Sequence, residues 1–373
     1  MRPFVYAVAA SRVVFGRGSL KAQLEGEVAQ LGAKRVLVIT TPHQRDIGEE
    51  VSSLLGARFT ALYSNATMHT PVEVTEDALK VVSEKNIDCL VAVGGGSTIG
   101  LAKALAYRTD LLQIVVPSTY AGSEATSILG QTEKGAKTTL VSPKVLPEVI
   151  VYDVDLTLTL PKVMSLTSGV NAIAHSIETL YSAKSNPFID LLAVEGIQVM
   201  MRSLAKLGSE PDDIEARSDA LYAAWACGMC LGNGGGTALH HKICHTIGGM
   251  LNTPHAETHA IVLPHALQYN YAYLNKDSRR NLGRAFGLAV NEEGGRDQLE
   301  REGVEMAQKI FDIVQNGGAP TSLAALGVKS SDLEPVAEAA AKAPYPNPAP
   351  LEGPRLLELL HRAHLGSRPV PGL

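Results

Sequence analysis

Six of the eleven histidines in this 373-residue chain fall between positions 240 and 265: His240, His241, His245, His255, His259 and His265. A seventh, His175, precedes them. Imidazole changes charge near neutral pH and is a common metal ligand. Such a concentration points to proton transfer or to divalent-metal binding. Spacing sharpens this reading. His241 and His245 stand four apart, as do Asn171 and His175, so each pair shares one helix face. Pro254-His255 follows far enough behind His245 for the chain to turn and return. Two helices and a turn can thus gather Asn171, His175, His241, His245 and His255 at one point. Taken singly, His240, His259 and His265 read as satisfied or exposed side chains, and so do His43, His69, His361 and His364.

A second place for chemistry lies earlier. The apolar run Cys89–Val93 leads into Gly94-Gly95-Gly96-Ser97, and helical periodicity begins at Thr98. A glycine turn between a buried strand and a helix start lets a pyrophosphate approach the backbone. The helix dipole and unpaired N–H groups then stabilise it. The motif is neither G-x-G-x-x-G nor a P-loop, and a ligand-free tight turn explains a bare GGGS equally well. Cys227-Gly-Met-Cys230 spells C-x-x-C but ends an Ala- and Leu-rich helix, so these thiols, with Cys244 nearby, read as buried and free.

Elements must position these residues. Strands are predicted at 35–40, 59–64, 89–93, 113–117 and 149–153, each a short apolar run without polar alternation, as in sheets buried on both faces. Helices are predicted between them at 19–31, 44–55, 74–85 and 98–107. This alternation implies a parallel sheet with right-handed crossovers. Residues 127–140 read as an inserted β-hairpin. Phe4–Ala10 followed by Arg12–Gly16 reads as an N-terminal β-hairpin rather than a signal peptide, because its basic region is Arg2 alone. After Pro161 the strand signals stop. Helices are predicted at 168–183, 188–207, 214–230, 238–250, 298–313 and 333–342, with a short one at 355–363. The chain therefore reads as α/β plus all-α: residues 1–160 form a dinucleotide-binding domain, and residues 161–373 a helical domain carrying the histidines. A cleft between domains is the default ligand site.

Composition narrows the classes. Hydrophobic residues make up 45% and charged residues 19%, which excludes intrinsic disorder. The formal net charge is −5 and no Lys/Arg run stands out, so nucleic acid is not an expected partner. Apolar runs fall far below the roughly 18 residues of a membrane span. Four cysteines in so long a chain point to reduced thiols and a cytoplasmic location.

Together these residues resemble the iron-containing alcohol dehydrogenase family, which has a dehydroquinate synthase-like fold, and within it the maleylacetate reductase group. The resemblance runs through Arg12–Gly18, Gly94–Ser97, Pro117–Glu124 and Leu156–Pro161. It is most specific at Ala238–Gly249, Pro254–Ala260 and Leu263–His265. It implies a Rossmann-like first domain, a helical second domain and a homodimer to which the N-terminal strands contribute. The family's metal site uses one Asp and three His; the matching positions are Asn171, His175, His241 and His255, with His245 as a further cleft histidine. An amide at 171 supplies no charge to offset a metal's, so no metal is expected. Gly100 stands where many relatives carry Asp, and Thr41 where an NAD-selecting Asp falls, so use of NADH or NADPH is expected. The resemblance puts Gly95, Gly96 and Ser97 on the pyrophosphate, Ser118, Thr119 and Ser123 near the nicotinamide, and Lys137 near the ribose. The implied reaction is NAD(P)H-dependent reduction of the carbon–carbon double bond of maleylacetate, a small dicarboxylate, to 3-oxoadipate in aromatic-compound catabolism. The alternatives are a metal-dependent alcohol dehydrogenase or carbonyl reductase of the same family, a lyase or synthase on the same fold, and a non-catalytic binding module.

Overall fold

The computed structural model describes residues 4–8, 11–133, 136–342 and 345–373, with the backbone alone at 136 and 137. Two compact units result: residues 7–160, and residues 161–373 joined by residues 4–6.

The first unit runs β1 (Arg12–Gly16), α1 (Ser19–Gln30), β2 (Val36–Ile39), α2 (Arg45–Leu55), β3 (Phe59–Tyr63), α3 (Val72–Glu84), β4 (Cys89–Gly94), α4 (Gly96–Thr109), β5 (Leu112–Pro117), β6 (Ile128–Glu133), β7 (Ala136–Val141) and β8 (Val149–Asp153). Six strands form one sheet in the order β1-β8-β5-β4-β2-β3, every pair parallel. Their unbroken apolar runs follow from double coverage. Val36, Val38, Val91, Val116 and Val151 pack on Leu24 and Val28 of α1 and Val51 and Leu55 of α2. The alternate residues Leu37, Ile39, Leu90 and Val115 are also fully buried, on the face where α4 packs and α3 packs on α4. The strands β6 and β7 form the separate antiparallel hairpin that the sequence predicts; its turn, 134–135, lies outside the described residues.

Strand order fixes where a ligand belongs. From β2 the chain moves outward to β3, then returns to place β4 on β2's other side. Ligands of such sheets sit at the carboxyl ends of the strands flanking this reversal. Those ends are Thr40-Thr41 after β2 and the glycine turn after β4.

The expected N-terminal hairpin is not formed by the described residues. Instead, β1 pairs parallel with β8, and residues 4–8 carry no strand. The cause is local. The Asp153 carboxylate at the end of β8 accepts the Gly18 and Leu20 N–H groups, both at 2.9 Å, which ties the turn after β1 to β8.

The second unit contains α5 (Lys162–Leu180), α6 (Pro187–Ser209), α7 (Ile214–Gly234), α8 (Leu239–Leu251), α9 (His255–Tyr271), α10 (Lys276–Phe286), α11 (Arg296–Asn316), α12 (Leu333–Lys342) and α13 (Gly353–Leu365). Every residue of α5 from Ser165 to Leu180 is buried, with α6, α7 and α9 packed around it. The sequence reading omits α9 and α10. All of Thr258–Tyr271 is buried, so α9 has no polar face to mark its period, and Pro264 inside it imitates a helix break. No described helix is long and apolar enough to cross a membrane.

Candidate active site

Three helices of the second unit converge their polar side chains. On α5, Asn171, His175 and Glu178 follow an i, i+4, i+7 spacing and share one face. On α8, His241 and His245 share a face, with His240 and Cys244 beside it. On α9, His255 opens the helix and His259 lies one turn later. The rings form a connected cluster. His175 stacks on His241 with centroids 5.1 Å apart, His241 lies 5.9 Å from His245, and His245 stacks on His255 at 6.0 Å. His259 sits at the centre, 4.3 Å from His255 and 5.0 Å from His241. Thus all four histidines expected here from the sequence do assemble, with Asn171 buried on the same helix face as His175.

His240 and His259, read singly from the sequence as ordinary histidines, belong to this cluster. Both are fully buried, and His240 Nε2 and His259 Nδ1 share a 2.8 Å hydrogen bond. The sequence signal was the i, i+4 spacing of His255 and His259, hidden because α9 did not read as a helix. Burial, reinforced by neighbouring imidazoles, pushes the pKa of His175, His240 and His259 well below the ordinary histidine value.

Glu178 is the residue that sequence reasoning missed outright. Its side chain is wholly buried. Oε2 contacts His241 Nδ1 at 2.7 Å and accepts the Ala238 N–H at 2.7 Å; Oε1 accepts the His240 N–H at 2.8 Å. The N-cap of α8 is Ala238, which has no capping side chain of its own, so Glu178 supplies that function from α5. Asn347 accepts the intervening Leu239 N–H at 3.3 Å. The glycines after Asn233 let the chain pass close to its neighbours: a Cβ on Gly234 would stand 2.3 Å from Ile189 Cγ2 of α6, and one on Gly235 3.0 Å from Thr179 Oγ1 of α5.

Four buried atoms of the cluster have no hydrogen-bond partner among the described residues: Asn171 Oδ1, His175 Nδ1, His241 Nε2 and His259 Nε2. Buried polar atoms are rarely left so, and a cluster of them marks where a ligand completes the set. A divalent metal fits this set poorly. The donors at the family's metal positions are three imidazoles and an amide, without a carboxylate, and Glu178 is committed to backbone N–H groups and His241. One trio of metal-ligating side chains among the described residues brings its donor atoms within 4.8 Å of one another, and it is His240, Cys244 and His259. There the two imidazoles already share a proton, which leaves one of the paired lone pairs unavailable. The C-x-x-C cysteines lie elsewhere, buried and unbridged; burial raises the Cys227 thiol to about 12.

In the first unit the glycine turn opens α4 two residues earlier than predicted, so Gly96 and Ser97 form its first turn, where N–H groups lack intrahelical acceptors. Gly94 has φ +147°, and a Cβ there would stand 2.6 Å from both Gln44 Oε1 and Thr98 Oγ1. A Cβ on Gly95 would meet Thr119 Cγ2 at 2.9 Å, whereas one on Gly96 meets nothing within 4 Å. Gln44 joins the strand ends: Thr41 Oγ1 donates to its Oε1 and its Nε2 donates to Ser118 Oγ, each at 3.2 Å. Ser123 lies on the next loop, held by Lys103. That buried ammonium donates to Ser123 O at 2.7 Å, Thr126 O at 2.6 Å and Ile128 O at 3.2 Å. Burial brings its pKa down to about 7, against the opposing charge of Glu124. Gly100 has a steric reason: a Cβ would stand 2.3 Å from Thr70 Oγ1. Lys137 lies on β7, its side chain outside the described residues.

The chain thus joins a parallel-sheet unit with an open glycine turn to a helical unit with an imidazole cluster. Residues 10–154 match the family model for iron-containing alcohol dehydrogenase, and residues 165–364 match the C-terminal model of the Fe-containing alcohol dehydrogenase family. The chain belongs to the iron-containing alcohol dehydrogenase family. It is 48% identical over 369 residues to a maleylacetate reductase of Rhizobium sp. (strain MTP-10005), covering 99% of this chain and 100% of that protein. A maleylacetate reductase of Pseudomonas sp. (strain P51) is 44% identical, with 99% of each chain covered. The crystal structure of maleylacetate reductase from Agrobacterium tumefaciens superposes with a TM-score of 0.89 at 46% identity, covering 99% of this chain and 100% of that one.

Proposed function

We propose that the chain is a maleylacetate reductase that works without a metal ion and accepts NADH or NADPH. The observation that carries this reading is the assembly of six histidines, Asn171 and Glu178, in which Asn171 stands where the family has a charged ligand and imidazoles dominate. The full-length identity to relatives of that name supports it.

The substrate dictates the chemistry. Its alkene is conjugated to a ketone. Bound NADH or NADPH would supply a hydride for the alkene carbon remote from that ketone, which leaves the substrate as an enolate. The carbon next to the ketone then takes a proton. One NADPH or NADH and one proton are consumed, giving 3-oxoadipate. The protein must therefore place a donor against the developing oxyanion and deliver a proton. His241 and His175, whose unpartnered nitrogens lie on stacked rings, suit these tasks, with His245, His255 and Asn171 shaping the surroundings.

Gly95, Gly96 and Ser97 would receive the pyrophosphate at the start of α4. Ser118, Thr119 and Ser123 would line the nicotinamide side, with Lys137 near the ribose. Thr41, joined to Gln44, leaves no carboxylate to repel a 2′-phosphate, which supports dual cofactor use. Half-buried Lys242 and helix N-termini would offset the substrate's two carboxylates. We further assign the chain to the cytoplasm as a homodimer.

Labelling tests the reaction. With deuterated cofactor, the 3-oxoadipate product should carry one deuterium on the carbon remote from the ketone. Deuterium on a carbinol carbon instead would show carbonyl reduction and overturn the assignment.

A further inference from the structure

The position of Glu178 carries a mechanistic consequence for His241. Both carboxylate oxygens already accept backbone N–H groups, from Ala238 at 2.7 Å and His240 at 2.8 Å. These are the first donors of α8, whose positive dipole end faces the carboxylate. The Tyr181 hydroxyl also donates to Oε1, at 3.4 Å, so Glu178 presents only acceptors, and its last partner, His241 Nδ1 at 2.7 Å, must be a donor too. The opposite ring nitrogen, Nε2, is buried and has no partner among the described residues.

We infer that Glu178 is a positioning residue that locks His241 in the tautomer with Nδ1–H toward the carboxylate and Nε2 toward the substrate. Resting on the reductase reading above, this makes His241 the imidazole that handles the substrate proton. In the neutral ring Nε2 is a lone pair; once Nε2 is protonated, its N–H can hydrogen-bond the enolate oxygen or protonate the carbon, and Glu178 stabilises the imidazolium that has formed. The logic is that of the carboxylate in a serine-protease triad, where amide replacement of the carboxylate leaves the fold intact but selects the wrong tautomer. A carboxamide at 178 would turn its NH₂ either toward the His240 N–H and the Tyr181 hydroxyl or toward the Ala238 N–H and His241. In the second placement His241 must offer a bare Nδ1, which is its Nε2–H tautomer.

Three measurements separate this from a purely structural cap. First, ¹⁵N NMR of histidine-labelled wild-type protein should show His241 protonated at Nδ1 and bare at Nε2; the reverse tautomer would overturn the inference without any substrate being needed. Second, Glu178→Gln should lower kcat by about 10²- to 10⁴-fold, with KM changed only a few-fold. A rise in KM at unchanged kcat would contradict it. Third, in the His241→Ala background the same substitution should add less than about threefold, because the residue acts through a ring already gone. A full, additive loss there would assign Glu178 to capping alone. If Glu178→Gln does not fold, the wild-type NMR result decides. Absence of maleylacetate turnover by wild-type protein would instead sink the reductase reading and leave the tautomer result standing.

Discussion

At the scale of single residues, the proposed metal-free chemistry turns on Asn171. It is buried, its Oδ1 lacks a hydrogen-bond partner among the described residues, and it lies one turn before His175. Asn171→Asp restores the charge that three imidazoles lack. We expect the variant to retain a divalent ion after dialysis and to gain thermal stability on titration with Zn²⁺, while the wild type does neither; equal behaviour would contradict the role given to the amide. Spacing and the family resemblance together pointed to Asn171, His175, His241, His245 and His255. They did not disclose Glu178, although Glu178 shares the α5 face of Asn171 and His175. A glutamate inside a helix ordinarily reads as a solvated side chain, and nothing in sequence shows that α5 is buried all round. His259 stayed hidden for a related reason, since its helix lacks a polar face. Gly100 was legible as a departure, but its cause, the Thr70 hydroxyl, is visible only in three dimensions.

At the scale of elements, the glycine turn makes a graded prediction. Gly94→Ala adds a Cβ at positive φ against Gln44 and Thr98, so it should destabilise the protein by about 1–3 kcal/mol in chemical denaturation. Gly96→Ala meets nothing within 4 Å, so stability should stay within about 0.5 kcal/mol. If a pyrophosphate lies against this turn, the same methyl should weaken NADH binding by about tenfold or more in a fluorescence titration. Unchanged affinity would place the cofactor elsewhere. The strands were legible because parallel, doubly covered strands are short continuous apolar runs. The hairpin predicted at the N-terminus failed because the sequence does not state which partner a strand takes; the Asp153 carboxylate, distant in sequence, selects β8 for β1.

At the scale of the whole molecule, buried neutral histidines set the response to acid. His175, His240 and His259 titrate well below their ordinary value in the folded state, and His265, whose ring nitrogens lack partners among the described residues, falls to about 3. Below about pH 6.5 the unfolded chain then binds more protons than the folded one. Stability from these groups is full above that pH and is lost progressively as pH falls toward the folded values. Urea midpoints should therefore drop on acidification from neutral pH, and His265→Leu should lessen the drop while leaving turnover intact. A midpoint that rises as pH falls through 6 would contradict the assignment of neutral rings. The order of an α/β region followed by helices was legible from where strand signals end, at Pro161. The helical arrangement after it was only partly so, because α9 is as buried as a core strand and carries a proline.

The central claim is that this imidazole cluster reduces an activated alkene without a metal. Its most direct test follows nicotinamide absorbance on mixing purified protein, NADH or NADPH, and maleylacetate, with and without EDTA. The account predicts rapid oxidation with either cofactor and the same rate after chelation. Activity that disappears in EDTA and returns with Fe²⁺ or Zn²⁺ would contradict it, showing that three histidines and an amide hold a catalytic ion after all.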